Sequence, residues 1–131
     1  MSILFNLRNQ NKVNRLSIIN FKNILIGVCS FFLISVGLDK FMNFIEPPCS
    51  LMTSISPLLW KILGVLQIVG GILIWLPKFT KWVAGFFVAF MLFFTIYHLV
   101  EHTYDIAGSA FMAVLLAVIY WNPSFLDRRG K

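Results

Sequence analysis

Charged residues are scarce in this sequence. They make up 12% of its 131 residues, and only 5 residues are acidic. A soluble domain is about a quarter charged and about half apolar, whereas 59% of this chain is apolar, with 14 Phe and 4 Trp. The shortage of charge disfavours a soluble domain. It also disfavours a nucleic-acid partner despite the formal net charge of +6, because the basic residues occur in short clusters between long apolar runs.

Several combinations of residues are missing, and their absence excludes certain classes of membrane protein. There is no C-x-x-C pair, which membrane thiol oxidases need, because Cys29 lies inside an apolar run and Cys49 lies well beyond its end. A bis-His haem needs imidazoles on facing helices, but His98 and His102 fall one turn apart on one helix. Small multidrug exporters carry an acid in their first span, and none occurs between Lys22 and Asp39. We therefore expect no intrinsic cofactor, a packing role for Cys29 and a free thiol at Cys49 that is open to intermolecular pairing.

Four apolar runs organise the chain. They extend over Ile18–Leu38, Ile55–Leu76, Trp82–Val100 and Ile106–Trp121. Each approaches the roughly 20 residues that cross a ~30 Å hydrocarbon core, and lysines near the ends of a run can reach the interface along their aliphatic stems. The pattern predicts an all-α integral membrane protein, an antiparallel bundle of four helices that fills residues 21–122. The lipid bilayer is then its first partner.

Basic residues predict the orientation of this bundle. They lie mainly before the first run, between the second and third runs, and after the fourth: Arg8, Lys12, Arg15, Lys22, Lys78, Lys81, Arg128, Arg129 and Lys131. Cytoplasmic loops carry the excess of Lys and Arg, so both termini are expected in the cytoplasm. Residues 1–20 would form a cytoplasmic tail or an interfacial helix, and residues 123–131 a basic tail. Cleavage of the first run as a signal peptide is the alternative, but residues 34–41 match a small-residue cleavage site poorly.

Small residues recur at helical spacing in three of the runs. They are Gly27, Ser30 and Gly37 in the first run, Gly64 and Gly71 in the second, and Ala110, Ala113 and Ala117 in the fourth. Helices in lipid associate through such faces, so these stripes are expected to hold the bundle together or to meet a partner subunit. Gln67 is strongly polar and lies deep in the second run. We expect it to face another helix and to form an interhelical hydrogen bond, with a substrate contact as the alternative.

Polar and titratable residues gather at the end of the spans opposite the basic clusters. They are Asp39 and Lys40 after the first run, and His98, Glu101 and His102 in an H-x-x-E-H pattern that ends the third. The pattern is formally that of an inverted zinc protease. Five residues are matched easily by chance and no third protein ligand is identified, so we assign no metal site and no catalytic residue. We expect either interfacial ion pairs or an outward-facing polar site, with Thr95 one turn deeper and a histidine that exchanges protons near neutral pH.

Two stretches of the first and second runs carry a family resemblance. Ser35–Phe41 reads S-V-G-L-D-K-F, and Leu63–Leu73 reads L-G-V-L-Q-I-V-G-G-I-L. They are similar to the G-L-x-K-[LF] ending and the G-[VL]-[LI]-E-[LI]-x-G-G segment of the DoxX-like family of small bacterial membrane proteins. The likeness covers roughly residues 20–121. Gln67 stands where that family commonly has Glu, so proton handling by an acid would be lost here, whereas a hydrogen-bonding role would survive.

The resemblance implies a location in the bacterial inner membrane and a group that includes the membrane subunit of thiosulfate:quinone oxidoreductase. The expected function is a small multi-pass subunit of a larger, redox-linked membrane complex. Such a subunit would have no catalytic activity alone, and a quinone would be reached through the complex. Two alternatives stay open. One is a carrier for a small solute or lipid, built around Gln67 and the outer polar residues; the other is a stand-alone enzyme that uses His98, Glu101 and His102.

Overall fold

All regular secondary structure in the described part of the chain is helical. The computed structural model describes residues 2–42, 55–100 and 106–122. Its helices are α1 (Ser2–Met42), α2 (Pro57–Leu73), α3 (Pro77–Val100) and α4 (Ile106–Trp121). Each apolar run coincides with one of them or with part of one, so the predicted all-α class with four helices is confirmed for these residues. The main difference is at the N-terminal side, where residues 2–20 continue the helix of α1.

Prolines set the starts of α2 and α3. Pro57 is the first residue of α2 and Pro77 the first of α3, positions at which the missing N–H group is not needed. A proline also disfavours helical backbone in the residue before it, so α2 ends shortly before Pro77 and a tight turn follows. Thr80 fastens this turn, because its buried hydroxyl lies 3.0 Å from the Ile74 carbonyl oxygen and 2.9 Å from that of Leu76.

The helices pack as two antiparallel pairs, α1 with α2 and α3 with α4. In the first pair Gly37 lies against Gly64 and Ser30 against Gly71, so residue numbers fall along one helix as they rise along the other. In the second pair the end of α3 faces the start of α4. Contacts between the pairs are fewer, and α1 with α4 and α2 with α3 make most of them. The result is a four-helix bundle that consists of two halves.

Glycines determine how closely α1 and α2 approach. A Cβ atom on Gly37 would lie 2.7 Å from the Gly64 carbonyl oxygen, and one on Gly64 would lie 2.9 Å from the Gly37 carbonyl oxygen. Side chains do not tolerate such distances, so the crossing needs glycine on both helices. Two turns further along, Ser30 donates a 2.6 Å hydrogen bond to the Gly71 carbonyl oxygen. Small residues and interhelical hydrogen bonds of this kind drive helix association in lipid.

The buried apolar core is built by α1, α3 and α4. It includes Ile26, Cys29 and Leu33 from α1, Phe87 and Met91 from α3, and Met112, Leu116 and Ile119 from α4, with Ile74 from the turn. Its largest member, Phe87, lies against Gly70 of α2, where a Cβ atom would overlap the ring. The helix α2 therefore contributes few side chains to the core. Its main contribution is the space that its glycines leave for core residues of other helices.

Most large apolar side chains lie on the outer surface of the bundle. The buried residues of α2 are Gly64, Gln67, Gly70 and Gly71, whereas most of its leucines, isoleucines and valines are exposed. In α3, Trp82 is 80% exposed. Among the described residues, exposed large apolar side chains outnumber the buried ones. This distribution is the opposite of that in a soluble domain, where large contiguous apolar patches are rare.

Two helices have both the length and the apolarity of a membrane span. These stretches are Phe21–Met42 in α1 and Pro77–Val100 in α3. Only 33% and 22% of their most apolar windows are buried, unlike the core helix of a soluble protein. The apolar helices α2 and α4 have 17 and 16 residues, or about 26 and 24 Å, somewhat less than the ~30 Å hydrocarbon core. In the described residues, two of the four predicted spans thus reach the usual length.

Candidate functional site

A half-open cavity of about 240 Å³, the inner cavity, lies where all four helices approach one another, toward the ends of α1 and α3. Its lining residues are Phe32, Val36 and Lys40 from α1, Gln67 from α2, Phe90, Met91, Phe94 and His98 from α3, and Gly108 and Ser109 from α4. The inner cavity therefore brings Gln67 together with two members of the predicted outer polar cluster, Lys40 and His98.

Lys40 is the lysine among the residues that line the inner cavity. Its side chain is 7% exposed, which is rare for lysine. The Nζ atom lies 3.4 Å from the Val36 carbonyl oxygen, one turn back in the same helix, and 4.7 Å from the centre of the Trp60 ring. The neighbouring Asp39 carboxylate attracts it through space. The ammonium group is thus stabilised by one carbonyl, one aromatic ring and the negative charge of Asp39, and it keeps donor capacity for a further partner.

Gln67 supplies an acceptor that the fold does not satisfy. The residue is 2% exposed, and its Oε1 atom is buried with no hydrogen-bond partner among the described residues. The interhelical hydrogen bond expected from the sequence is therefore not made through this oxygen. A buried unsatisfied acceptor costs about 1–3 kcal/mol, and an apolar side chain of similar size would avoid that cost. A hydrogen-bond donor in the inner cavity would remove it.

Three further polar groups lie around the same cavity. His98 is 5% exposed, and its ring centre lies 6.3 Å from that of Phe94 and 6.0 Å from that of Tyr97. One turn deeper in α3, the Thr95 hydroxyl donates to the Met91 carbonyl oxygen of its own helix at 2.8 Å and is hydrogen-bonded at 3.0 Å to the Ser109 hydroxyl of α4. This bond joins the two helices of the second pair beside the cavity.

Aromatic rings form much of the wall. Phe90 and Phe94 lie one turn apart in α3 with ring centres 4.8 Å apart, and Phe32 of α1 contributes a third ring. A wall of this kind accepts the flat face or edge of another ring. The inner cavity thus combines an apolar wall with a cation, an unsatisfied amide oxygen and an imidazole.

The structure describes only part of the polar cluster expected at the outer end of the spans, which consists of Asp39, Lys40, His98, Glu101 and His102. Lys40 and His98 line the inner cavity, while Asp39 is half-buried beside Lys40 in sequence. Glu101, His102 and Cys49 lie outside the described residues. Within those residues, no group of three or more His, Cys, Asp or Glu side chains is placed to hold a metal ion.

The small residues predicted to mediate packing lie at helix contacts to different extents. Gly37, Gly64, Gly71 and Ser30 meet where α1 and α2 cross; Gly27 is half-buried, Ala113 is buried in the core, and Ala110 and Ala117 are half-buried. The closest contacts are therefore those of the first helix pair.

Sequence reasoning missed Ser109 and the phenylalanines of the cavity wall. Phe32, Phe90 and Phe94 look the same in an apolar run as the many exposed phenylalanines around them. Ser109 carries a usable signal, because it is the only serine or threonine in the fourth run. In an antiparallel hairpin it falls opposite Thr95, at the depth at which the structure places their hydrogen bond.

A larger concavity lies on the outer surface of the α3–α4 pair. This α3–α4 groove has a volume of about 660 Å³ and is lined by Lys81, Trp82, Gly85, Phe86, Val88, Ala89, Leu92, Tyr120 and Trp121. The Lys81 ammonium lies 5.7 Å from the centre of the Tyr120 ring. An apolar surface beside a cation suits an amphipathic molecule.

Comparisons with known protein families, with curated proteins and with solved structures find no match to this chain. The class of protein is therefore defined by the structure itself. In its described residues the chain is an all-helical protein of four helices, with two candidate membrane-spanning helices and a polar inner cavity.

Proposed function

We propose that this chain is a small multi-pass protein of the bacterial inner membrane and a subunit of a larger, redox-linked complex. The observation that supports insertion most directly is the outward position of large apolar side chains around small and polar buried ones, best seen in α2. In water such a surface would favour aggregation. In a bilayer the lipid tails solvate it, and the buried Gly64, Gln67 and Gly71 face protein.

The proposal includes all four helices as spans, with α2 and α4 as short ones. A span a few ångströms shorter than the hydrocarbon core is accommodated by local thinning of the bilayer at modest cost. The tight turn fastened by Thr80 supports this arrangement, because it brings the end of α2 and the start of α3 to the same end of the bundle, while α1 runs antiparallel to α2 and α4 to α3. Helices paired in this way cross the bilayer together.

Both termini are proposed to be cytoplasmic. Exposed Trp75, Trp82 and Trp121 lie at the same end of the bundle as the exposed Lys78 and Lys81, which is the pattern of an aromatic belt beside a cytoplasmic loop. A fluorescent reporter that folds only in the cytoplasm should be active when fused after Lys131. The same reporter fused after Met42 should be inactive, and a periplasmic phosphatase reporter should give the reverse result. Equal signals at the two positions would contradict the orientation.

The role as a subunit rests on the resemblance to DoxX-like proteins together with two surfaces. Three of the four glycines in the resembling stretches, Gly37, Gly64 and Gly71, lie where α1 and α2 meet, and the fourth, Gly70, lies against Phe87 of α3, so a shared motif has a structural reason here. The α3–α4 groove supports the quinone part of the proposal, since it is apolar, open to the lipid side and has a volume of about 660 Å³.

Purification of the tagged full chain in mild detergent tests this role. We expect membrane partners in fixed ratio by mass spectrometry, a redox cofactor in the absorption spectrum of the complex, and quinone in its organic extract. Ala89→Trp fills the α3–α4 groove and should lower the quinone content, whereas Val69→Trp on the exposed face of α2 should not. A monomer that copurifies with no partner and no cofactor would contradict the proposal.

A carrier for a small solute is the second candidate, and the inner cavity is the observation that favours it. Its polar groups come from both halves of the bundle, so a change in the angle between the halves would change access to it. Solute flux into vesicles that contain only this chain would support the carrier. Vesicles with Gln67→Leu should then transport more slowly than vesicles with the wild-type chain.

A further inference from the structure

We propose that the inner cavity binds a small organic acid, a single-ring carboxylate that also carries a hydroxyl group. This inference deepens the carrier candidate and rests on its cavity. It concerns equilibrium binding, which can be measured without transport and without any partner subunit.

Lys40 selects for an anion. Lys40 is 7% exposed as a residue. Among the described residues, its ammonium group lies 3.4 Å from a carbonyl oxygen and 4.7 Å from the centre of the Trp60 ring, and the Asp39 carboxylate attracts it through space. Burial of a charge is costly unless the charge is paired. A carboxylate on the ligand would pair with Lys40 in a low-dielectric setting and form a charge-assisted hydrogen bond.

Gln67 selects for a second group, a hydrogen-bond donor. Its Oε1 atom is an acceptor without a partner in the described residues. A ligand with only a carboxylate, which is ionised at neutral pH, offers no donor to this oxygen. A ligand hydroxyl offers one, so the pair of groups that the cavity requires is an acid and a hydroxyl on one molecule.

The size and wall of the inner cavity limit the rest of the ligand. An apolar cavity of about 150 Å³ holds one benzene molecule, so a volume of about 240 Å³ holds one ring with substituents. Phe32, Phe90 and Phe94 present ring surfaces for stacked or edge contacts. A small inorganic anion would leave these rings without contact, and a long acyl chain would extend beyond the space that they line.

Isothermal titration calorimetry of the full chain in nanodiscs, with empty nanodiscs subtracted, tests the proposal. The probes are 4-hydroxybenzoate, benzoate, 4-hydroxybenzyl alcohol and octanoate. We expect 4-hydroxybenzoate to bind most tightly. The neutral alcohol should bind about 10-fold or more weakly, because it lacks the charged hydrogen bond, and benzoate about 5-fold more weakly, because it lacks the hydroxyl.

Matched variants locate the site. Lys40→Met should raise the Kd for 4-hydroxybenzoate about 10-fold or more, whereas Lys61→Met, which removes an exposed lysine of α2, should leave it unchanged. Gln67→Leu should raise the Kd for 4-hydroxybenzoate to that of benzoate without weakening benzoate itself. If Lys40→Met does not fold, as judged by circular dichroism and gel filtration, the ranking of the four probes on the wild-type chain decides.

Other outcomes would overturn the inference. Saturable binding of none of the probes, tighter binding of octanoate, or equal binding of the acid and the alcohol would each do so, as would a folded Lys40→Met variant with unchanged affinity. Failure of the carrier proposal is a separate result. Binding with the expected ranking but without solute flux would support the binding site and contradict the carrier. Failure of the subunit role appears only in the copurification.

Discussion

Substitution of Gly37 by alanine is the sharpest test of how the first helix pair is held together. The new Cβ atom would lie 2.7 Å from the Gly64 carbonyl oxygen and 2.8 Å from Cγ1 of Ile68. An ordinary contact begins at 3.4 Å, so the backbones must separate by about 0.7 Å. A gap of that size forfeits about a quarter to a half of the attraction of each contact that it opens.

Gly27→Ala is the matched control on the same helix. A Cβ atom there would lie 3.7 Å from its nearest neighbour, a ring carbon of Trp75, which is an ordinary contact. Both substitutions replace glycine by alanine in a helix and share the same gain of about 1 kcal/mol in helix propensity. The difference between them therefore isolates the steric cost. From the cost of overpacking, we expect Gly37→Ala to be about 1–3 kcal/mol less stable than Gly27→Ala.

Unfolding in mixed micelles with increasing sodium dodecyl sulfate, followed by circular dichroism, measures this difference. Gly64→Ala, the same change on the opposite side of the crossing, should resemble Gly37→Ala, because its Cβ atom would lie 2.9 Å from the Gly37 carbonyl oxygen. Equal midpoints for Gly37→Ala and Gly27→Ala would refute the argument that backbone contact sets the separation of α1 and α2.

Two hydrogen bonds give further predictions. Ser30→Ala removes the 2.6 Å bond to the Gly71 carbonyl oxygen and should lower the free energy of unfolding by about 0.6–1 kcal/mol, whereas Ser35→Ala, at an exposed position of the same helix, should have no effect in the same assay. Thr95→Val removes the 3.0 Å bond to Ser109 and should cost a similar amount. In a double-mutant cycle, Ser109→Ala should add little to Thr95→Val, and full additivity would contradict this pairing.

The sequence is informative about the helices because hydropathy and proline act locally. Long apolar runs interrupted by charge predict four helices, and Pro57 and Pro77 fall where α2 and α3 begin. The continuation of α1 to Ser2 was not predicted, since residues 2–20 mix polar and apolar types without a clear period. Composition in that segment neither favours nor excludes a helix.

The inner cavity was predicted less well because it depends on which faces of the helices meet. Lys40 and His98 were expected together from their position at one end of the spans, and Gln67 was expected to face protein. Nothing in a uniformly apolar stretch tells whether Phe90 or its neighbours face the interior. The small residues of α2 are the exception. Gly64, Gly70 and Gly71 have no side chain, and they mark the buried side of that helix.

The two halves of the bundle have a consequence for how the chain moves. The pairs α1–α2 and α3–α4 share few contacts, and a turn fastened by Thr80 joins them at one end. The inner cavity lies between the two halves near the other end, with Lys40 in one half and Ser109 in the other. Rotation of the halves about the turn would part them there without breaking either pair, and it would loosen the core contacts that α1 makes with α3 and α4. A bound molecule that contacts both halves would hold them together at this end, and its dissociation would allow them to separate.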